Sequence, residues 1–561
     1  MKRIILSAMT VGVLAVGANA LDQDENGCYK IGTSDDLFAF AAKVNANENP
    51  EKDACGILTT DITVNENVLT DYALNGTPAK VWTPIAYYHG VFDGQNHSIS
   101  GLYATGEQEV GFFGALANGD AEVRNLNIKD SYFAVDKYMA GGIAGNIWAS
   151  KSVIDNCSFD GVVTMTGNGV FTNDGKSEQV TYGNVIAGLV GNVSTNAKLV
   201  VSNSSNKGKI GYESDGYKVG AAVGLAVGAG SVDGKSTPGA KVALINFSNT
   251  GSFVGVEGSF IGGADEGSKT FEYSGTLSGT SLSFQNDKLV AVLDDSKDLS
   301  ISADFEVDSV YLNRTFTTDA YSTIMLPFDI AASKIAGTVA EFTSVNAEYT
   351  VVTGTTVSSI TAYKPYLLTA NSAAIEIVGP VTIKASTSVN TESTYENWKF
   401  VGTLAKKRWQ NVCTAAGSVC ENAAEIGKVY GFSGTAVSGI DVGNFVKVGN
   451  KVSIRPMRAY LMYEAPAAQG KPAAPGMAMA AAVESVPTVI LPDTMKVIIV
   501  DPVTEDPEED VPTEGPLALD PIKAPAAAFK ADRWYDITGR NLNKPKAQGA
   551  YINNRTTVIA K

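Results

Sequence analysis

The feature that most constrains this chain is an internal repeat. Between Val110 and about Gly263 a glycine-rich aliphatic cluster recurs, followed after a gap by an aliphatic run that ends in Asn. Val110-Gly-Phe-Phe-Gly114 precedes Val123-Arg-Asn-Leu-Asn-Ile128, and Ala140-Gly-Gly-Ile-Ala-Gly145 precedes Val153-Ile-Asp-Asn-Cys-Ser158. Ala187-Gly-Leu-Val-Gly191 precedes Leu199-Val-Val-Ser-Asn203, and Val219-Gly-Ala-Ala-Val-Gly224 precedes Ala243-Leu-Ile-Asn-Phe247. Self-similarity at a few tens of residues marks a stacked solenoid, because one such unit cannot bury its apolar face alone. A stack of this kind offers a long regular surface, and no single repeat has to carry chemistry.

The flanks set the context. Met1-Lys-Arg3 is basic, Ile4 to Val16 is apolar, and Ala18-Asn-Ala20 is a small-x-small site, so residues 1–20 read as a signal peptide. No later run reaches the ~20 apolar residues of a spanning helix, so no transmembrane segment is expected after cleavage. Of five cysteines, Cys28 and Cys55 flank a predicted helix and Cys413 and Cys420 lie close together. Two local disulfides in an oxidising compartment are expected, with Cys157 left as a buried thiol at the end of a repeat strand. A formal charge of -16 excludes nucleic acid as a partner, because that binding needs clustered Lys and Arg. Glycine, at 56 of 561 residues, suits the many tight turns of an all-β chain.

Ahead of the repeats, Thr33-Ser-Asp-Asp36 forms a capping box that opens a helix to about Val44, with Leu37, Phe40, Ala41 and Val44 on one face. Residues 21–80 read as a cap over the open end of the stack. Next come Trp82-Thr-Pro-Ile85, Gly90-Val-Phe-Asp-Gly94 and His97-Ser-Ile-Ser-Gly-Leu-Tyr103. Together with the Gly-Leu-Val-Gly clusters, this pattern resembles bacterial surface proteins with GLUG repeats. The resemblance covers roughly residues 28 to 265 and implies a right-handed parallel β-helix of pectin-lyase-like shape over 81–268. Ile143 and Val223 stand where the motif has Leu, and Gly167 to Tyr182 is an insertion.

From 269 to 465 the repeat gives way to short β runs separated by polar turns, which suggests a β-sandwich-like module. Residues 466–530 hold more than half of the prolines and the acidic run Glu505-Asp-Pro-Glu-Glu-Asp510, as a linker does. Val489-Ile-Leu491 and Val497-Ile-Ile-Val500 read as isolated strands within it. Residues 531–561 form a small C-terminal β domain. Trp534-Tyr-Asp-Ile-Thr-Gly-Arg540, Gly549-Ala-Tyr-Ile-Asn553 and Thr557-Val-Ile-Ala-Lys561 resemble the sorting domain of type IX secretion cargo. That resemblance implies the secretion machinery as a partner of the tail, and a secreted or outer-surface location.

Chemistry is sparse. His89 and His97 are the only histidines, and with Asp93 they are the one conceivable metal set; no metal or other cofactor is expected. Neither has a nucleophile elbow nearby. Asp130, Asp136, Asp155 and Asp160 are the best carboxylates for a glycosidase on the helix, yet each falls where Asp serves a turn. A lyase would need basic groups, and Arg124 stands alone on a repeat strand. Gly228 to Ser236 lacks Walker A spacing, and Asp22 to Thr33 lacks the final Glu of a calcium loop. No catalytic residue is assigned. Trp82, Tyr87, Tyr88, Tyr138 and Trp148, with Tyr103 and Tyr132, crowd the first coils and are candidate ligand-binding aromatics. The expectation is a non-enzymatic surface protein that binds an extracellular glycan or protein. The alternative is a polysaccharide-degrading enzyme on the same scaffold.

Overall fold

The computed structural model describes residues 21–148, 151–167, 185–212, 218–232, 235–255, 258–285, 287–411, 420–434, 442–465 and 489–502, with four strands between 534 and 560. The expected leader, Cys413, and most of the expected linker lie outside the described residues. The fold is all-β, with one α-helix, Ser34–Val44, among the described residues.

Three sheets of parallel strands dominate residues 21–273. The chain visits them in turn, and each circuit adds a strand to each. The first sheet takes Val91–Asp93, Ala121–Arg124, Lys151–Asp155, Lys198–Ser202, Lys241–Ile245 and Lys269–Tyr273. The second takes Ser98–Ser100, Asn127–Val135, Ser158–Met165, Lys209–Gly211 and Ser252–Val254. The third takes Phe113–Ala117, Ala144–Trp148, Val190–Val193 and Lys218–Ala226. Register places like on like: Val123, Ile154, Val201 and Leu244 stack in one buried column, and Ile99, Ile128 and Phe159 in another. Each such side chain contributes roughly 1.5–3 kcal/mol of burial, which no single circuit could supply alone.

The repeat motif has two physical causes. The Asn that follows four of the first-sheet strands turns the corner in the left-handed region, with φ of 53° at Asn125, 51° at Asn156, 48° at Asn203 and 52° at Asn246. Asn tolerates that region better than other side chains. The amide of Asn156 also donates sideways, Nδ2 to Asn125 Oδ1 at 2.9 Å, and Asn246 Nδ2 donates to Asn203 Oδ1 at 3.1 Å. Their backbone N–H groups reach the next circuit, as Asn156 N does to Ser202 O at 3.0 Å. The glycine clusters answer crowding instead. A Cβ on Gly142 would sit 2.3 Å from Gly188 O, and one on Gly188 would sit 2.4 Å from Ala221 O. Cys157, just past Asn156, is a buried free thiol, and burial pushes it up to about 12.

The cap forms as its sequence suggests. Thr33 and Asp36 close the capping box, and Leu37, Phe40, Ala41 and Val44 are buried. Cys28 and Cys55 are joined, 27 residues apart in sequence, and a loop of that size contributes on the order of 3 kcal/mol. Cys420 is also disulfide-bonded.

The second module departs from a sandwich of two facing sheets. A four-stranded sheet, Thr280–Gln285, Lys288–Asp294, Phe305–Asn313 and Ile375–Ile383, packs its apolar residues with Val200, Ala243 and Ile245 of the first sheet. Lys241, buried under this contact, donates to Asp287 at 2.8 Å. A ten-stranded sheet follows, from Tyr321–Met325 at one end of its strand order to Glu392–Tyr395 at the other. Phe342 on Gly337–Val345 meets Tyr395 and Phe400, which lie at the opposite end of the strand order. Strand Thr494–Val500, inside the expected linker, is no isolated strand: it pairs parallel with Val351–Thr356 and antiparallel with Phe445–Lys447, and buries Met495 and Val497. The alternation of Met495, Val497 and Ile499 with polar or exposed neighbours makes it a half-buried strand. The compact unit therefore runs to Pro502. In the separate C-terminal unit, Trp534–Asp536, Asn541–Leu542, Gly549–Asn553 and Thr556–Ala560 form an antiparallel sheet.

Two outcomes are expected. A chain ended after residue 502 should unfold cooperatively in urea, followed by tryptophan fluorescence. One ended after 465 should lose the transition of the ten-stranded sheet. Asn156→Ala should destabilise more than Asn156→Gly, by about 1 kcal/mol in the same assay, because glycine keeps the left-handed corner and alanine does not.

Candidate functional site

On the outer face of the second sheet, Tyr103, Tyr132, Val162, Lys209 and Ser252 fall in register on successive circuits. Tyr103 and Tyr132 stack with ring centroids 6.0 Å apart. The next outward row brings Thr164 beside Gly211, the threonine hydroxyl donating to Gly211 O at 3.0 Å. A hairpin of Leu69–Thr70 and Ala73–Leu74 lies over this face and makes it a groove of about 370 Å³, lined by Tyr72, Tyr132, Thr164, Lys209 and Tyr212 among others. That volume suits one or two sugar rings or a short peptide segment.

The hairpin is held by the two carboxylates nearest to it. Asp130 accepts from Leu69 N at 2.9 Å and Val68 N at 3.1 Å. Asp160 accepts the Tyr72 hydroxyl at 2.8 Å, which raises the tyrosine above its ordinary value. The turn residues Asp71 and Tyr72 have φ of 50° and 58°, the left-handed pair of a two-residue hairpin turn. A tyrosine there is costly, and such strain persists where the surroundings hold it in place. Burial raises Tyr132 as well, so its ring is half enclosed with the hydroxyl retained as a proton donor.

The other candidates separate cleanly. Trp82 and Tyr88 correct the expectation of exposed aromatics: both are interior. Trp82 stacks on Phe112 at 5.3 Å and donates Nε1–H to its carbonyl at 3.0 Å; Tyr88 stacks on Phe113 and donates to Ala54 O at 2.7 Å. They fill the join between cap and first circuits, where large rings are the available filler. Tyr138 is half-buried against Met139, Val185, Leu225 and Val227. Tyr87 and Trp148 do face solvent, 45% and 44% exposed, with rings edge to face at 6.1 Å and Lys52 5.8 Å from the Tyr87 ring. They form a second, smaller aromatic patch at the third sheet.

The polar candidates have structural partners. Asp155 accepts from Ser202 Oγ at 2.6 Å and Asn203 Nδ2 at 3.0 Å, and Asp136 stands beside Lys137. Asp93 accepts from Arg124 Nε, Asn125 Nδ2 and Gln95 N, so its oxygens are taken. His89 bonds to Ala117 O and His97 pairs with Asp61, and the two do not converge on Asp93. Among the described residues no three His, Cys, Asp or Glu side chains are placed to hold a metal ion. Asp24 caps its own turn through Asn26 N and Cys28 N. Gly230–Val232 and Lys235–Thr237 pair antiparallel, so Lys235 and Ser236 of the Gly-Lys-Ser string lie on a strand; Gly234 lies outside the described residues. Among the described residues no helix is long and apolar enough to cross a membrane.

No family model and no curated protein matches the chain. Among solved structures it is similar to a chain described as a "putative immunoglobulin A1 protease from Bacteroides ovatus", at 13% identity over 44% of this chain and 86% of that one. The TM-score of that match is 0.22, too low for an argument about fold or activity.

Sequence reasoning missed the groove because its roof comes from the cap. Residues 69–74 carry no Asn-Gly or Gly-Gly signal, and the contacts to Asp130 and Asp160 span 61 and 88 residues. Replacing Asp130 with Ala should release the hairpin alone. Hydrogen exchange at the Val68 and Leu69 amides should speed by an order of magnitude or more, while the melting temperature moves by only a few degrees.

Proposed function

We propose that this chain is a non-enzymatic binding protein of the cell exterior that holds an extracellular glycan in the tyrosine-lined groove. In this reading the three parallel sheets are the faces of a right-handed parallel β-helix of the GLUG-repeat kind. Residues 531–561 act as a sorting domain that engages type IX secretion machinery. The Cys28–Cys55 disulfide fits an oxidising exterior.

One observation carries the reading. The described lining of the groove sets tyrosine, threonine and lysine among apolar side chains and holds no carboxylate, while Asp130 and Asp160 are hydrogen-bonded to its roof. A glycosidase needs two free carboxyl groups facing each other across the scissile bond. A lectin-like site needs flat apolar faces for the C–H side of a sugar and a few polar groups at the edge. Tyr72 and Tyr132 supply the former; Thr164 and Lys209 supply the latter.

The mature chain should bind on a glycan array. For a glycan so found, Tyr132→Ala should weaken affinity roughly tenfold, about 1.4 kcal/mol, while the circular dichroism spectrum stays that of the folded chain. Turnover of a polysaccharide, abolished by Asp160→Asn, would instead establish the degrading enzyme.

A further inference from the structure

A second concave site lies where the four-stranded and ten-stranded sheets meet, far in sequence from the groove. We propose that the cavity under Arg314, Lys406, Arg455 and Arg458 binds the acid group of a carbohydrate, a uronate carboxylate or a sulfate ester. The proposal goes beyond the groove reading and does not depend on it.

The cavity measures about 700 Å³, and its described lining contains those four cationic side chains and no acidic one. A single carboxylate, Asp295, serves all three arginines from the far side: Arg458 Nε lies 3.0 Å away, Arg455 Nη1 3.5 Å and Arg314 Nε 3.9 Å. The neighbouring Asp294 accepts Ser296 N and Oγ on Oδ1 and feels the charge of Arg455 at longer range, and Asp298 accepts the backbone N–H of Lys406. Both lie outside the lining. The buried Arg314 and Asp295 balance one another, so the excess cations are Arg455 and Lys406, both exposed at the wall. Arg314 is 10% exposed. It donates to Thr323 O at 2.8 Å and Ser322 Oγ at 2.6 Å. Burial, with Arg458 close by, pushes it down to about 9. An arriving anion would restore it.

Arg455 is the group that can meet the ligand. Its side chain is 59% exposed and, among the described residues, is bonded to Asp295 at 3.5 Å. A planar five-donor fork at the cavity wall takes carboxylate or sulfate through two parallel hydrogen bonds. The rest of the wall fits a sugar better than a bare ion. Phe432, Ile454 and Pro456 offer an apolar face, and Ser296 and Ser453 offer hydroxyls at its edge. The strongly acidic charge of the chain as a whole opposes a long polyanion and favours one acidic unit seated in a local cationic pocket.

The test is calorimetric titration of the mature chain with four probes: a glucuronate-containing disaccharide, glucose 6-sulfate, cellobiose and sodium sulfate. At least one acidic sugar should bind ten times or more tighter than both cellobiose and sodium sulfate, and its affinity should fall with added salt. Arg455→Gln, at an exposed position, should weaken it about tenfold with an unchanged melting temperature, and Lys406→Gln should weaken it less. Tyr132→Ala should leave it unchanged, which separates this site from the groove. Equal binding of cellobiose would overturn the charge reading, and sulfate alone binding as tightly would overturn the sugar. Affinity indifferent to Arg455→Gln, or no binding at millimolar ligand, would overturn the site itself.

Discussion

Parallel stacking in register is the constraint from which the rest follows. A strand in such a stack is bonded on both sides, so each circuit fixes the position of the next. The buried column of Val123, Ile154, Val201 and Leu244 sets that register from inside. The left-handed asparagines set it at the corner, where a circuit one residue longer or shorter would break the sideways amide bonds of Asn156 and Asn246. Glycine at 142 and 188 then lets backbones approach more closely than any side chain permits. Insertions are tolerated between strands because they leave these positions unmoved.

Both candidate sites are by-products of that regularity meeting something irregular. The groove exists because the periodic row Tyr103, Tyr132, Val162 and Lys209 is crossed by a cap hairpin that belongs to no circuit. The cationic cavity lies where the four-stranded sheet, itself packed on the stack's first sheet, meets the ten-stranded one. Asp287 is held below the usual carboxylate range by its bond to Lys241, so this contact is strongest above the ordinary Asp range and weakens as pH falls through it.

Local signals were legible in the sequence and long-range ones were not. The Thr33–Asp36 capping box, the helix to Val44 and the burial of Cys157 follow from neighbours within a few residues or from strand periodicity, and the Cys28–Cys55 pairing from two cysteines flanking that one helix. Strand 494–500 was visible as an apolar run, yet its partners at 351–356 and 445–447 were not, because pairing across such distances leaves no local mark. Trp82 and Tyr88 illustrate the same limit: an aromatic reads alike in sequence whether it faces solvent or fills a cap. The cationic cavity left no sequence signal of its own, since the carboxylate shared by Arg455 and Arg458 lies 160 residues away in the case of Arg455.

The central claim is that residues far apart in sequence lie on adjacent rungs of one parallel stack. Spin labels at Tyr103 and Ser252 test it directly, since these positions are joined by four register steps through Tyr132, Val162 and Lys209. Pulsed electron spin resonance should give a single narrow distance near four strand spacings, about 19 Å before allowance for the label arms. A broad distribution, or a mean beyond about twice that distance, would contradict the stack and with it the groove built on its second sheet.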